Sequence, residues 1–202
     1  MPKVAISIMA ELKSATRAQH EAAERIVGFE DAIRDRLSYR RLLEKFYGFY
    51  APIEKRLANV RDLQNAVPDV QSRMKTRLLI ADVKDLGGNV CDLPLCSTLP
   101  ALANVAESIG CLYVLEGATL GGQILSRQAK GALGIGADNG ARFFSSYGQQ
   151  VGAMWKRFSK EADAYCDLHP EARAALLKTA ADTFSTLSQW MQRPGNSGHA
   201  PS

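Results

Sequence analysis

The chain contains no apolar run long enough to cross a bilayer as a helix, which excludes a membrane span. Its four cysteines, Cys91, Cys96, Cys111 and Cys166, form no Cys-x-x-Cys pair and no zinc-ligand spacing. Histidine is scarce. His20, His169 and His199 are the only three, and so few narrow the metal chemistry on offer. Alternating runs of Val, Ile and Thr are absent, as are internal repeats, so neither a sheet protein nor a solenoid is indicated. The first ten residues lack the apolar stretch and cleavage site of a secretory signal. Charge of one sign is also lacking: 25 Lys and Arg against 21 Asp and Glu leave only +4. That scattered excess does not require nucleic acid, and a basic pocket for an acidic small molecule accounts for it equally well. Reduced thiols in a cytoplasmic chain are the expectation.

What the 202 residues do contain is 46% hydrophobic and 23% charged side chains, enough for one domain with a sizeable core. Nearly every segment repeats with helical period. Between Tyr39 and Asn59, Leu42, Leu43, Phe46, Phe49, Tyr50, Ile53 and Leu57 recur at three- and four-residue spacing, and Pro52 is expected to kink or break that helix. Further helical runs are expected from Pro68 to about Leu86, Leu99 to about Leu133, Ala141 to Leu168, and Pro170 to Met191. Loops fall at Gly87–Asn89 and Gly134–Gly140. Residues 1–192 therefore read as a single all-α domain, and 193–202, with Pro194, Gly195, Gly198 and Pro201, as a frayed tail.

Two stretches carry chemistry. On the first helix Lys13, Arg17, His20 and Glu24 are spaced by four, three and four residues, placing them on one face at about 3.6 residues per turn. A metal-bound imidazole needs its other ring nitrogen held by an acceptor, and Glu24 is one turn away. Two cations before the histidine suit the carboxylates of whatever it holds. Alone, this reads rather as a surface histidine beside a helix ion pair, since His/Glu spacing of four is common by chance. The second stretch runs from Gly110 to Leu125 and includes Gly117, Gly121 and Gly122. Glycine in a helix costs about 1 kcal/mol each against alanine, so something must offset it. Ala106, Gly110, Gly117 and Gly121 lie near one face and would make a trough for a planar ligand, or else a close helix-packing surface. Glu116 falls inside the neighbouring apolar stripe and must be paired, with an arginine expected as its partner. Together the two stretches describe a planar ligand held between an axial histidine and a glycine-rich helix, and haem fits.

LKSATRAQHEAAE and YVLEGATLGGQIL, supported by FYGFYAPIEKRL and FFSSYGQQVGAMW, resemble the biliverdin-producing haem oxygenases of bacteria, in particular the branch associated with bacterial phytochromes. That resemblance implies an all-α bundle holding haem between a proximal N-terminal helix and a kinked distal helix. It implies His20 as the iron ligand, Glu24 as acceptor for its second nitrogen, and Lys13 and Arg17 near the propionates. Gly117 and Gly121 become the distal glycines against the macrocycle, with Tyr113 on the same helix, Tyr50 and Phe184 lining the pocket, and Tyr147 approaching the propionates. The implied reaction is oxidative cleavage of haem by dioxygen to biliverdin, carbon monoxide and iron. No flavin or nicotinamide fingerprint is present, so electrons come from an external reductase or ferredoxin, and a bilin-binding phytochrome is a candidate acceptor of the product. Two departures stand out. Arg142 is the nearest cation in the segment around Tyr147, and Ala118 stands where several relatives carry an aspartate beside bound oxygen, leaving Thr119 and Gln123 as conceivable helpers. The alternatives are a non-catalytic haem carrier, for which His20 suffices, and a related bundle enzyme using Cys111 on a thiamine-type substrate.

Overall fold

The computed structural model describes residues 7–193, and no strand occurs among them. Ten α-helices follow in order among these residues: α1 (Ile8–Ala15), α2 (Arg17–Val27), α3 (Phe29–Ala32), α4 (Arg36–Leu57), α5 (Leu63–Ala66), α6 (Thr76–Asp85), α7 (Val105–Leu133), α8 (Arg142–Ser145), α9 (Val151–Leu168) and α10 (Arg173–Gln192). The all-α single-domain reading holds. Of the expected tail, only Arg193 lies within the described residues.

Several expected boundaries move, each for a local reason. The N-terminal run is two helices because Thr16, with φ −107° and ψ 6°, leaves the helical region, while its hydroxyl donates back to the Leu12 carbonyl at 2.7 Å. The expected helix from Pro68 to Leu86 is a short 3-10 turn at Val70–Arg73, a break, and then α6. Glu54 supplies the reason for the break. Its two carboxylate oxygens accept the Lys75 and Thr76 N–H groups at 2.6 and 2.9 Å, so a side chain from α4 satisfies the start of α6. The expected start at Leu99 slips to Val105, where Asn104 caps α7 by accepting the Glu107 N–H at 3.0 Å. The run from Ala141 to Leu168 divides at Ser146, whose φ of 41° is left-handed, and resumes at α9.

Pro52 does not break α4. It only withholds the N–H that the Gly48 carbonyl would otherwise accept, and the Cys96 N–H takes that place at 2.8 Å. Gly48 is equally constrained, since a Cβ there would lie 2.5 Å from both the Pro94 carbonyl oxygen and the Trp190 ring.

The core between α3, α4 and α8 is aromatic. Phe29, Tyr39, Phe46, Tyr50, Phe143 and Phe144 meet one another at centroid distances between 5.0 and 6.4 Å, mostly edge to face. Asp82 fixes α8 onto this cluster by accepting the Arg142 and Phe143 N–H groups at 2.9 and 2.8 Å. Helix α10 packs against both α2 and α7, and α9 against α1 and α7. The approach of α10 to α7 is tight: a Cβ at Gly110 would sit 2.3 Å from the Leu176 carbonyl oxygen.

Candidate functional site

His20 lies on α2 with its side chain 53% exposed. The Phe184 ring from α10 stands edge-on to the imidazole, at a centroid distance of 5.5 Å and an interplanar angle of 80°. Nδ1 points toward Glu24, whose Oε2 is 3.6 Å away. That is a loose ion-pair distance, which a small rotation of either side chain converts into a hydrogen bond, and it leaves Nε2 as the nitrogen available to a metal. Arg17 follows Thr16 on α2, exposed and bonded through Nε to Glu21 Oε1 at 3.0 Å. Lys13, also exposed, stands on α1. The four residues expected on one helix face are thus divided between two helices by Thr16.

The second wall is α7, which continues as a helix through Gly117, Gly121 and Gly122. The glycines divide by what surrounds them. Gly110 is filled by the α10 backbone, and a Cβ at Gly122 would lie 2.8 Å from the Phe144 carbonyl oxygen. Those two are packing glycines, so the expected trough does not extend to Gly110. At Gly121 a Cβ would meet nothing within 4 Å, and at Gly117 only the edge of Trp155 at 3.8 Å. Leu120 and Ile124, on the same side of the helix, are 40% and 52% exposed. A strip of bare backbone with an apolar edge results, open at Gly121 and touched at Gly117 only by Trp155 of α9, so no helix backbone packs closely against this pair among the described residues.

Two contacts tie the walls together. Tyr113 on α7 stands near Thr16 at the start of α2, and burial raises its pKa. Helix α10 touches both walls, Phe184 at His20 and the Leu176 backbone at Gly110 of α7. Burial pushes the Cys111 thiol up to about 12, which suits an inert core cysteine and removes the thiol-enzyme alternative's nucleophile. Trp155 from α9, 5.8 Å from the Tyr113 ring and in contact range of Gly117, is a wall residue that sequence reading missed.

Immediately before Gly117, Glu116 is buried in a charge cluster that names its partners. Arg73 Nη1 and Lys75 Nζ each donate to it at 2.5 Å, and the Tyr147 hydroxyl donates at 2.9 Å. Arg73, with no exposed side-chain surface, also grips Asp69 with two hydrogen bonds, at 2.6 and 2.9 Å. Burial opposes the Arg73 charge, but Asp69 and Glu116 outweigh it and raise its pKa further. Burial and the adjacent Glu116 carboxylate together push the Tyr147 hydroxyl well above the usual tyrosine range. Tyr147 was expected near the propionates; its hydroxyl is instead committed to Glu116. Arg142 is likewise engaged elsewhere, bonded to Asp82 and Asp85. Thr119 gives its hydroxyl to the Glu116 carbonyl at 2.7 Å and Gln123 its amide to the Ser145 carbonyl at 2.7 Å, so both conceivable proton helpers are occupied. Tyr50 is packed in the aromatic core, with 2% exposure.

The donor set and the shape fit haem: one imidazole with a free Nε2, and a strip where no Cβ opposes a flat macrocycle. Comparison with known proteins agrees. The family model described as Heme oxygenase matches residues 6–193. Heme oxygenase PigA of Pseudomonas aeruginosa is 28% identical over 178 residues, covering 88% of each chain. A heme oxygenase of Neisseria meningitidis, solved with NO and CO bound, superposes with a TM-score of 0.76 at 22% identity, covering 98% of this chain and 100% of that one. The heme oxygenase of Leptospira interrogans gives 0.68 at 20% identity over 92% and 98%. With the family match running across the described residues, and the fold and cleft in accord with it, this chain belongs to the heme oxygenase family of haem-degrading enzymes.

Proposed function

We propose that this chain opens haem at a meso carbon, using dioxygen and electrons from a separate reductase or ferredoxin, and releases biliverdin, carbon monoxide and iron. The observation that carries this reading is the uncovered strip at Gly117 and Gly121, joined through α10 to a half-exposed histidine. Bound haem supplies the iron and the redox chemistry. The protein supplies position. His20 Nε2 is the iron ligand, Glu24 orients the ring through Nδ1, and Phe184 limits its rotation. Lys13 and Arg17, exposed at the mouth, receive the propionates. Gly117 and Gly121 let the backbone of α7 approach the macrocycle and leave space above it, while Leu120 and Ile124 exclude water from its edge. Trp155 and Tyr113 close the side of the cleft. With Ala118 offering no acid, proton delivery to this strip rests on water held by backbone or other polar groups.

The free thiols among the described residues suit a reducing compartment, and the cytoplasm is the proposed location. No helix among the described residues is long and apolar enough to cross a membrane. The resemblance carried by LKSATRAQHEAAE and YVLEGATLGGQIL makes the phytochrome-associated branch the proposed one, with a bilin photoreceptor as acceptor of the product.

The test is reconstitution with haem followed by supply of an electron donor in air. A histidine-ligated Soret band that decays to a bilin spectrum, with one dominant isomer by chromatography, is expected. A stable haem complex that never yields bilin under these conditions would leave a haem carrier as the better description.

A further inference from the structure

Between the second half of α4 and the segment before α7 lies an open groove of about 940 Å³. Its origin is local. The carbonyl of Gly48 that Pro52 leaves free holds the Cys96 N–H, and the Ala103 N–H donates to Glu107 Oε2 at 2.6 Å. The chain between Cys96 and Ala103 is pinned at both ends and stands off the helix between them. Tyr47, Ala51 and Pro52 from α4 line the groove together with Leu99, Leu102 and Val60. Leu95, also lining it, is 49% exposed.

Three cations line the same groove, Lys55, Arg56 and Arg61, and no acidic residue does. None of the three forms an ion pair with another described residue. Lys55 and Arg56 also complement the C-terminal end of the α4 dipole, but Arg61 lies beyond that helix and has no such reason to be there. The volume is that of a small-molecule site. Apolar walls call for an apolar body, and two planar guanidinium forks match carboxylates. None of the lining residues belongs to α2, α7 or α10.

We infer that this groove is a second binding site, for a molecule with an apolar body and two carboxylates. A linear tetrapyrrole and a long-chain dicarboxylate share that chemistry. Only the tetrapyrrole source rests on the proposed function; the site itself does not.

Calorimetric titration of the full chain with hexadecanedioate and with biliverdin tests it. Biliverdin is expected to bind with two equivalents in the wild type and one in R56A/R61A, and groove binding should weaken about tenfold for each cation removed. Groove binding of hexadecanedioate should be unaffected by Gly121→Val, and haem turnover unaffected by R56A/R61A. Hexadecanedioate binding with the same arginine dependence identifies a general dicarboxylate site, and its absence beside a second biliverdin equivalent identifies a tetrapyrrole site. Absence of both, or binding that R56A/R61A does not weaken while its thermal melt stays wild-type, overturns the inference. Failure of the haem-cleavage reading would show separately, as haem that yields no bilin.

Discussion

Replacing Glu116 by glutamine removes one negative charge from a place where two cations cannot be hydrated. Arg73 has no exposed side-chain surface and Lys75 has 3%. Breaking a buried ion pair by deleting one partner costs about 3–5 kcal/mol, because the other charge stays buried. Arg73 keeps its two bonds to Asp69, so the loss falls mainly on Lys75, which retains the Arg73 carbonyl at 2.8 Å and the Tyr147 hydroxyl at 3.3 Å. The lower end of the range, about 3 kcal/mol, is therefore expected. For a domain of this size that lowers Tm by about 6–12 °C. Thermal and urea denaturation followed by far-UV circular dichroism measure it. A double-mutant cycle with Lys75→Met isolates the cause: removing Lys75 should be far less harmful in the Glu116→Gln background than in the wild type. A loss below about 1 kcal/mol, or strict additivity in the cycle, would refute the claim that this cluster is dry and mutually dependent.

Gly110→Ala and Gly121→Val should fail in opposite ways. The first puts a Cβ 2.3 Å from the Leu176 carbonyl oxygen and should destabilise the fold by about 1–3 kcal/mol, measured by urea denaturation; the second meets open space, should melt normally, and should lose haem uptake or bilin formation. Normal bilin production by Gly121→Val would defeat the open-strip reading. His20→Ala should abolish the histidine-ligated Soret band and turnover, with part of the activity restored by added imidazole, and wild-type rates without imidazole would remove His20 from the mechanism. Stability should fall on the alkaline side. Burial raises Cys111 from 9.0 to about 12 and holds Tyr39, Tyr50 and Tyr147 above the usual tyrosine value, so the unfolded chain releases these protons first. Their contribution is complete below about pH 9 and is lost as the pH rises toward 12. Equal melting temperatures at pH 8 and 10.5 would contradict this.

The sequence shows the pieces of the cleft more clearly than their assembly. His20 and Glu24 sit one turn apart because helical period alone puts them there, and the period survives the break at Thr16, which lies before both. Lys13 lies on the far side of that break, and nothing in the apolar pattern marks it, since Thr16 continues the hydrogen bonding through its own hydroxyl. That Glu116 must be paired follows from its apolar neighbours. Which arginine pairs with it does not follow, because Arg73 is 43 positions away and sits on a 3-10 turn whose pattern resembles a helix. Gly110, Gly117, Gly121 and Gly122 look alike in sequence, and only the neighbours that α10, α9 and the Phe144 backbone bring up separate the packing glycines from the open ones.

The position of α10 has a consequence for how the protein comes to hold its ligand in the cell. Synthesis delivers the N-terminal segments first. His20 leaves the ribosome long before Phe184, and α7 long before the Leu176 and Ala180 backbone that closes over Gly110. Helix α1 waits as well, since Glu11 is paired with Arg173 at 2.8 Å and Ser7 is bonded to Asp163. An unfinished chain thus carries His20 without the helix whose Phe184 stands against it and whose backbone packs on α7. Haem capture is a property of the completed polypeptide, and nascent chains stalled before residue 173 should leave haem in solution while already forming their early helices.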